Sequence, residues 1–155
     1  MRSDTKQRVI SLLVEDHPGV LNRVSGLVRR RGFNISALSV APSEQAGFSR
    51  MTLTVHAGHS EVDQVEKQLD RLIEVVEVTD LTEFERIHRE LVVGRADDSA
   101  EPLLTEAGAT LLHRNGHGLV FEYTGDAAEA EQLIQDLKAH GLRELTRSGP
   151  VAVRR

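Results

Sequence analysis

The chain has 155 residues, of which 39% are hydrophobic and 28% are charged, so its size and composition are typical of one or two small globular domains. It contains no cysteine, which excludes disulfides, thiol catalysis and thiolate metal sites. The formal charge of −5 would repel a polyanion, and we expect no nucleic acid partner. No apolar run reaches the ~20 residues of a membrane helix and residues 1–7 carry no signal-peptide core, so we expect a cytoplasmic protein with no membrane partner.

The first elements in chain order are a strand, a turn and a helix. Residues 8–14 form an apolar run typical of a buried strand, which ends at the turn Glu15–Gly19. A helix is predicted next, with Gly32 as its stop signal. One face of that helix carries Val20, Leu21, Val24, Leu27 and Val28.

Two strands, a second helix and a fourth strand follow. The strand within residues 33–42 should start irregularly because Ile35 is out of phase with Leu38, and residues 50–57 alternate as in a strand with one packed and one wet face. Ser60 is the predicted N-cap of the second helix, and residues 75–78 form the fourth strand. The resulting order β-α-β-β-α-β predicts a ferredoxin-like α+β domain.

The second half repeats this order in a shorter form. A strand at residues 91–93 and a short helix between residues 97 and 108 precede two strands joined by the hairpin turn at Asn115–Gly118, where Asn-Gly tolerates positive φ. A further helix and a last strand within residues 142–153 complete the unit. We therefore predict tandem ferredoxin-like βαββαβ domains at residues 1–82 and 83–155, with the connection at residues 82–89.

The turn after the first strand is the most suggestive segment for ligand binding. Free N–H groups at a helix N-terminus near Gly19 and Val20 attract a carboxylate, and Asp16 is placed to take an ammonium group. Together with apolar side chains, these groups suit a small amino acid. The alternative is that Asp16 or His17 only caps the helix and Pro18 only starts it. Asn34 begins the strand expected to lie beside this loop, where its amide would orient a ligand, or else it is only a turn residue.

Other clusters offer no convincing catalytic apparatus. The pairs His56/His59 and His113/His117 lack a third ligand at the spacing that a zinc site requires, and we interpret them as exposed turn histidines. The acidic runs fall on the polar faces of helices. The residues alone therefore favour a binding protein over an enzyme, with a small metal-dependent enzyme built on the histidine pairs as a minor alternative.

Several segments in a fixed order resemble one known family. The chain resembles the small, regulatory subunits of acetolactate synthase, whose N-terminal half is an ACT domain, in the segments 14–24, 31–35, 38–42, 49–52, 64–69 and 144–149. The resemblance implies a non-catalytic protein that activates a large catalytic subunit and confers feedback inhibition by valine in branched-chain amino acid synthesis. It also implies that thiamine diphosphate, magnesium and FAD belong to that large subunit, with no cofactor and no metal in this chain. A free-standing amino-acid sensor of the ACT family, without the synthase, is the alternative.

The resemblance also implies a homodimer with the effector at its interface. ACT domains pair side by side, so the loop of one chain meets the second strand of its neighbour. The effector-binding residues so implied are Asp16, His17, Gly19, Val20 and Leu21 of one chain with Asn34 and Ile35 of the other. This sequence departs from the family at Asp16, where Asn is common, and at Gly94, where Lys is expected.

Overall fold

The computed structural model describes residues 6–82 and 84–155, which divide into two units. The first unit runs to Ile87 and also includes Val151–Arg155, and the second is His88–Pro150. Each unit has the predicted β-α-β-β-α-β order, which confirms the tandem ferredoxin-like architecture.

The first unit is a four-stranded antiparallel sheet with strand order β2-β3-β1-β4. Its elements are β1 (Lys6–Glu15), α1 (Val20–Arg30), β2 (Ile35–Pro42), β3 (Phe48–Ala57), α2 (His59–Leu69) and β4 (Val75–Asp80). The buried faces of both helices pack on alternate residues of the two central strands, which include Ile10, Leu12, Met51 and Leu53. Burial of each such aliphatic side chain contributes about 1.5–3 kcal/mol, so this core orders the unit.

The opposite face of this sheet is not wet at its centre, contrary to the prediction for the third strand. Thr52 and Thr54 are buried, although His56 at the strand end is exposed. Val9, directly opposite Thr54, joins Leu81 and Ala152 in a second small apolar cluster that lies on this face. The alternation of residues 50–57 predicted the strand, but it did not predict that Leu81 and Ala152 pack on this face of the sheet.

The predicted irregularities and helix ends are partly confirmed. The register of β2 against β3 shifts between Ile35 and Ala37, as expected from the phase of Ile35. Gly32 adopts φ +82° immediately after the last turn of α1, as the stop signal predicted. The N-cap of α2 is Gly58 and not Ser60, because the Glu61 carboxylate accepts the Gly58 N–H at 2.8 Å and starts the helix earlier.

The second unit has a sheet in the order β6-β7-β5-β8. Its elements are β5 (Arg86–Ala96), a 3₁₀ turn at Asp98–Ala100, α3 (Glu101–Glu106), β6 (Thr110–Asn115), β7 (Gly118–Asp126), α4 (Ala127–Lys138) and β8 (Glu144–Arg147), and β9 (Val151–Arg154) ends the chain. The hairpin is confirmed, but the positive φ falls on Gly118, at +102°, and not on the Asn-Gly pair. A Cβ at Gly94 would lie 2.8 Å from Phe121 Cζ, so the ring fills the space that a lysine would need.

Two boundaries differ from the predictions. β5 begins at Arg86, inside the segment expected to be a connection, and the second unit starts at His88 and not at residue 83. The expected last strand is two strands, because Gly149 and Pro150 interrupt the run between β8 and β9. β9 pairs with β5 and carries Ala152 into the cluster with Val9, so the end of the chain belongs to the first unit.

Candidate functional site

The loop between β1 and α1, residues 15–19, is held by main-chain hydrogen bonds at its entry. The Glu15 N–H donates to the Glu74 carbonyl at 2.8 Å, and the Asp16 N–H donates to the Gly47 carbonyl at 2.9 Å. The loop is therefore fixed between the α2–β4 turn and the β2–β3 hairpin. We call residues 15–19 the effector loop, after the ligand-binding role that the sequence predicts for them.

The N-terminus of α1 is left open by this loop. Gly19 is the N-cap residue with φ +91°, and no side chain caps the helix, so neither Asp16 nor His17 has the capping role of the alternative interpretation. The Val20 N–H reaches the His17 carbonyl only at 3.5 Å. Within residues 6–82 and 84–155, the N–H groups of Gly19, Leu21 and Asn22 have no hydrogen-bond acceptor. Open N–H groups at the positive end of a helix form a site for an anion.

His17 adds positive charge beside this helix terminus. Its Nε2 lies 2.8 Å from Glu15 Oε2 and its Nδ1 lies 3.3 Å from the Pro18 carbonyl oxygen. Both ring nitrogens therefore face acceptors, which only the doubly protonated ring can satisfy. The hydrogen bond to the Glu15 carboxylate, followed by that to the Pro18 carbonyl, raises the pKa of His17 above its ordinary value.

The two residues that begin α1 are placed differently. Val20 is buried in the core of the first unit, so only its main chain faces the loop. Leu21, which the helical pattern assigned to the core face, is 44% exposed. Its side chain is the apolar surface available to a ligand at this helix terminus. Asp16 is exposed in the loop, with its side chain accessible to an ammonium group.

Asn34 and Ile35 lie at the other end of the same sheet, which corrects the expectation that the second strand begins beside the loop. Ile35 is opposite Val55, and Val55 is opposite Arg8. Arg8 and Glu15 are seven positions apart on β1, which at about 3.3 Å per residue is about 23 Å. The helix crossover makes β1 and β2 parallel, so the end of β1 and the start of β2 are at opposite edges. One chain does not bring these residues to its own loop.

Glu74 and Arg23 are hydrogen-bonded to the effector loop and were not identified from the sequence. The Glu74 carboxylate, buried in the turn before β4, forms an ion pair with the Arg23 guanidinium on α1. The Arg23 N–H donates to the Gly19 carbonyl at 3.0 Å. This pair links the turn to the first turns of α1. The available signal was an acidic residue inside the apolar run 72–76.

The histidine pairs are separate from this site. His56, His59, His113 and His117 are all exposed, and His59 lies 3.9 Å from Asp63. Across the described residues, no three His, Asp or Glu side chains form a group arranged to hold a metal ion. In the same part of the chain, none of the helices combines the length and apolar character needed to cross a membrane.

Comparison with known proteins covers both units. The protein-family model of the AHAS small subunit-like ACT domain matches residues 10–77, and the family model of the small subunit of acetolactate synthase matches residues 97–155. The acetolactate synthase small subunit of Mycolicibacterium smegmatis is 39% identical over 100% of this chain and 95% of its own length. That of Bacillus subtilis is 36% identical over 96% of this chain and 91% of its own.

A solved structure supports the same assignment. The crystal structure of the acetolactate synthase small subunit from Thermotoga maritima matches with a TM-score of 0.84 and 34% identity, over 97% of this chain and 98% of that chain. Sequence and structure therefore agree over both units and not only in the effector loop. The chain belongs to the family of acetolactate synthase small subunits.

Proposed function

We propose that this chain is the regulatory, non-catalytic subunit of acetolactate synthase, which binds valine at the effector loop, activates the catalytic subunit and transmits feedback inhibition to it. The observation that carries the proposal is the open N-terminus of α1, where three main-chain N–H groups lack acceptors in the described chain. Thiamine diphosphate, magnesium and FAD are assigned to the catalytic subunit, and this chain is assigned none of them.

The α-amino acid fits the loop by its charges. Its carboxylate accepts from the N–H groups of Leu21 and Asn22, with the helix terminus and the protonated His17 as the positive surroundings. Its ammonium group pairs with the exposed Asp16 carboxylate. Its branched side chain contacts Leu21, which is exposed at the start of α1. An aliphatic amino acid is therefore favoured over a polar or dicarboxylic one.

A second copy of the chain supplies the missing half of the pocket. β2 is an edge strand, so its outer hydrogen-bonding groups are free to pair with another β2. Antiparallel pairing about a twofold axis places Asn34 and Ile35 of one copy beside the Pro42 end of the other. Pro42 is opposite Ser49, which is opposite Val14, so this is the end where the effector loop leaves the sheet. The Asn34 amide then reaches the ligand from the partner.

Valine bound across this interface stabilises one arrangement of the dimer, to which the catalytic subunit responds. A ligand shifts such an equilibrium only by its difference in affinity for the two states. A tenfold inhibition therefore requires that valine prefer the inhibitory arrangement by at least about 1.4 kcal/mol.

The direct test is acetolactate production by the catalytic subunit with and without this chain across a series of valine concentrations. We expect the chain to raise the rate and valine to lower it again. Calorimetric titration of valine into the isolated chain should give heat, with one site per effector loop. A chain that leaves the rate unchanged and does not co-purify with the catalytic subunit, yet binds valine, would instead be a free-standing sensor. A strictly monomeric chain that binds no branched-chain amino acid would refute the proposal.

A further inference from the structure

The turn between α2 and β4 exposes an unusual apolar side chain. Ile73 is 91% exposed, the highest value among the large hydrophobic residues that the structure describes. Val76, three residues later, is 55% exposed. Single exposed aliphatic residues are common. An isoleucine that is almost entirely in water, followed three residues later by an exposed valine, indicates a surface used for contact.

Val76 interrupts the ladder of an edge strand. Leu13 is opposite Glu77 and Val14 is opposite Val75, so Val76 is an extra residue in β4. β4 forms the edge of the sheet opposite to β2, and it stays free when two copies pair through β2. A bulge at an edge disfavours the addition of another strand. The occupant of this edge is therefore not a second copy paired as a strand.

Glu74 connects this turn directly to the effector loop. It lies between the two exposed residues, yet it is itself buried. Its carbonyl accepts the Glu15 N–H at 2.8 Å, and its carboxylate pairs with Arg23 on α1. A protein bound at Ile73 would therefore contact a turn that is hydrogen-bonded to the effector loop and paired with α1.

The groove between α2 and β4, which this turn closes at one end, is acidic. It has a volume of about 330 Å³ and is lined by Asp63, Glu66, Lys67, Asp70 and Val78. Partial burial is the main cause that raises the pKa of Glu66, and the charges of Asp80 and Asp63 raise it further. A cationic side chain that enters the groove would reduce the repulsion between its carboxylates.

We propose that Ile73 and Val76, together with the acidic groove between α2 and β4, form the surface by which this chain docks on the catalytic subunit of acetolactate synthase. The complementary surface on that subunit is an apolar pocket for Ile73 beside lysine or arginine side chains that enter the groove. The inference rests on the proposed function, since it assigns a docking surface to the same regulatory subunit. The effect of valine binding at the effector loop is transmitted to the catalytic subunit through the contacts of Glu74.

The test uses the double variant Ile73→Ser/Val76→Ser in reconstituted enzyme. Acetolactate production is measured as the concentration of the chain is raised over a fixed amount of catalytic subunit. We expect the concentration for half-maximal stimulation to rise at least tenfold, as is usual when an exposed anchor of an interface is removed. Val153→Ser is the matched control, because Val153 is 57% exposed on β9 of the same unit, and it should leave the midpoint unchanged.

Three further readouts distinguish a loss of docking from a loss of folding, of dimerisation or of effector binding. The double variant should keep the unfolding temperature of the wild type, its dimeric state in sedimentation and its calorimetric affinity for valine. An unchanged stimulation midpoint, a loss of valine binding, or a loss of the dimer would each overturn the docking assignment. If the wild-type chain neither stimulates the catalytic subunit nor co-purifies with it, the proposed function fails as well, and this result is distinct from a variant that behaves like an active wild type.

Discussion

In the proposed pocket, Gly19 is the N-cap residue of the helix terminus at which the ligand carboxylate binds. Its φ of +91° strains any side chain, but no heavy atom lies within 4 Å of a Cβ built there. Gly19→Asp and Gly19→Asn therefore share the same strain of about 1–2 kcal/mol and differ only in charge. We expect Gly19→Asp to weaken valine binding at least tenfold relative to Gly19→Asn, as measured by calorimetry. Equal affinities of the two variants would contradict the position assigned to the carboxylate.

His17 gives the effector loop a dependence on pH. Its pKa is raised, so the folded chain holds the proton more tightly, and this contribution to stability is present below the unfolded pKa and lost as pH rises through the folded pKa. The positive ring also favours the effector carboxylate. We expect the affinity for valine to fall severalfold between pH 6 and pH 8.5 in the wild type, and to change much less in His17→Gln, with calorimetry at each pH as the measurement. The groups that act on the ring are the Glu15 carboxylate, the Pro18 carbonyl and the Arg23 guanidinium.

The turn and the open helix N-terminus were predictable from the sequence, whereas the contacts of the loop with Glu74 and Arg23 were not. Pro18 and Gly19 after a buried strand predict a turn and an open helix N-terminus from local chemistry alone. The role of Glu74 depends on a contact with Glu15 across the sheet, which no local pattern encodes. The place of Asn34 was wrong within one chain for the same reason, because the direction of the crossover sets which strand ends meet.

At the scale of elements, β2 is the strand on which the completed pocket depends. Val40 is 40% exposed on this edge strand, which would pair with the partner's β2. A lysine on an edge strand opposes pairing through charge and desolvation. We expect Val40→Lys to shift the chain toward monomer in sedimentation velocity and to weaken valine binding in parallel. Val153→Lys, on a strand outside this edge, should do neither, and a dimeric Val40→Lys that has lost valine binding would argue against pairing through β2.

The elements themselves were largely predictable, but not all their ends. The hydrophobic pattern predicted both helices of the first unit and all four strands of its sheet, with β1 recognised as a continuous apolar run and β3 by its alternation. The same pattern predicted β8 and β9 as one strand, because an apolar alternation continues through residues 142–153 and only Gly149 and Pro150 divide it. It also began β5 too late, because Arg86–Arg89 is polar on one face.

At the scale of the whole molecule, the last residues complete the first unit. Ala152 packs with Val9 and Leu81, and the Arg155 N–H donates to the Glu85 carbonyl at 2.9 Å. We expect deletion of residues 151–155 to lower the free energy of unfolding of the first unit by about 2 kcal/mol, from the apolar area that is uncovered. Hydrogen exchange should show the loss of protection in β1, with β7 as the internal control. Unchanged exchange at Val9 would show that β9 is dispensable.

The division of the chain into units could not be derived from its halves. Two repeats of β-α-β-β-α-β place a boundary between them near the middle, and this gave the correct fold class. Whether a terminal strand packs on its own repeat or on the other depends on long-range contacts, which the alternation of residues 151–154 does not specify.

The return of β9 to the first unit also has a consequence for biosynthesis. A ribosome delivers residues 151–155 only after every residue of His88–Pro150. The N-terminal unit therefore leaves the exit tunnel with Val9 and Leu81 not yet covered by Ala152, and residues 88–150 are fully translated before Ala152 is added. The apolar cluster on the sheet that carries the effector loop is thus covered only after the second unit has been translated, and a nascent chain that stalls before β9 leaves this cluster uncovered.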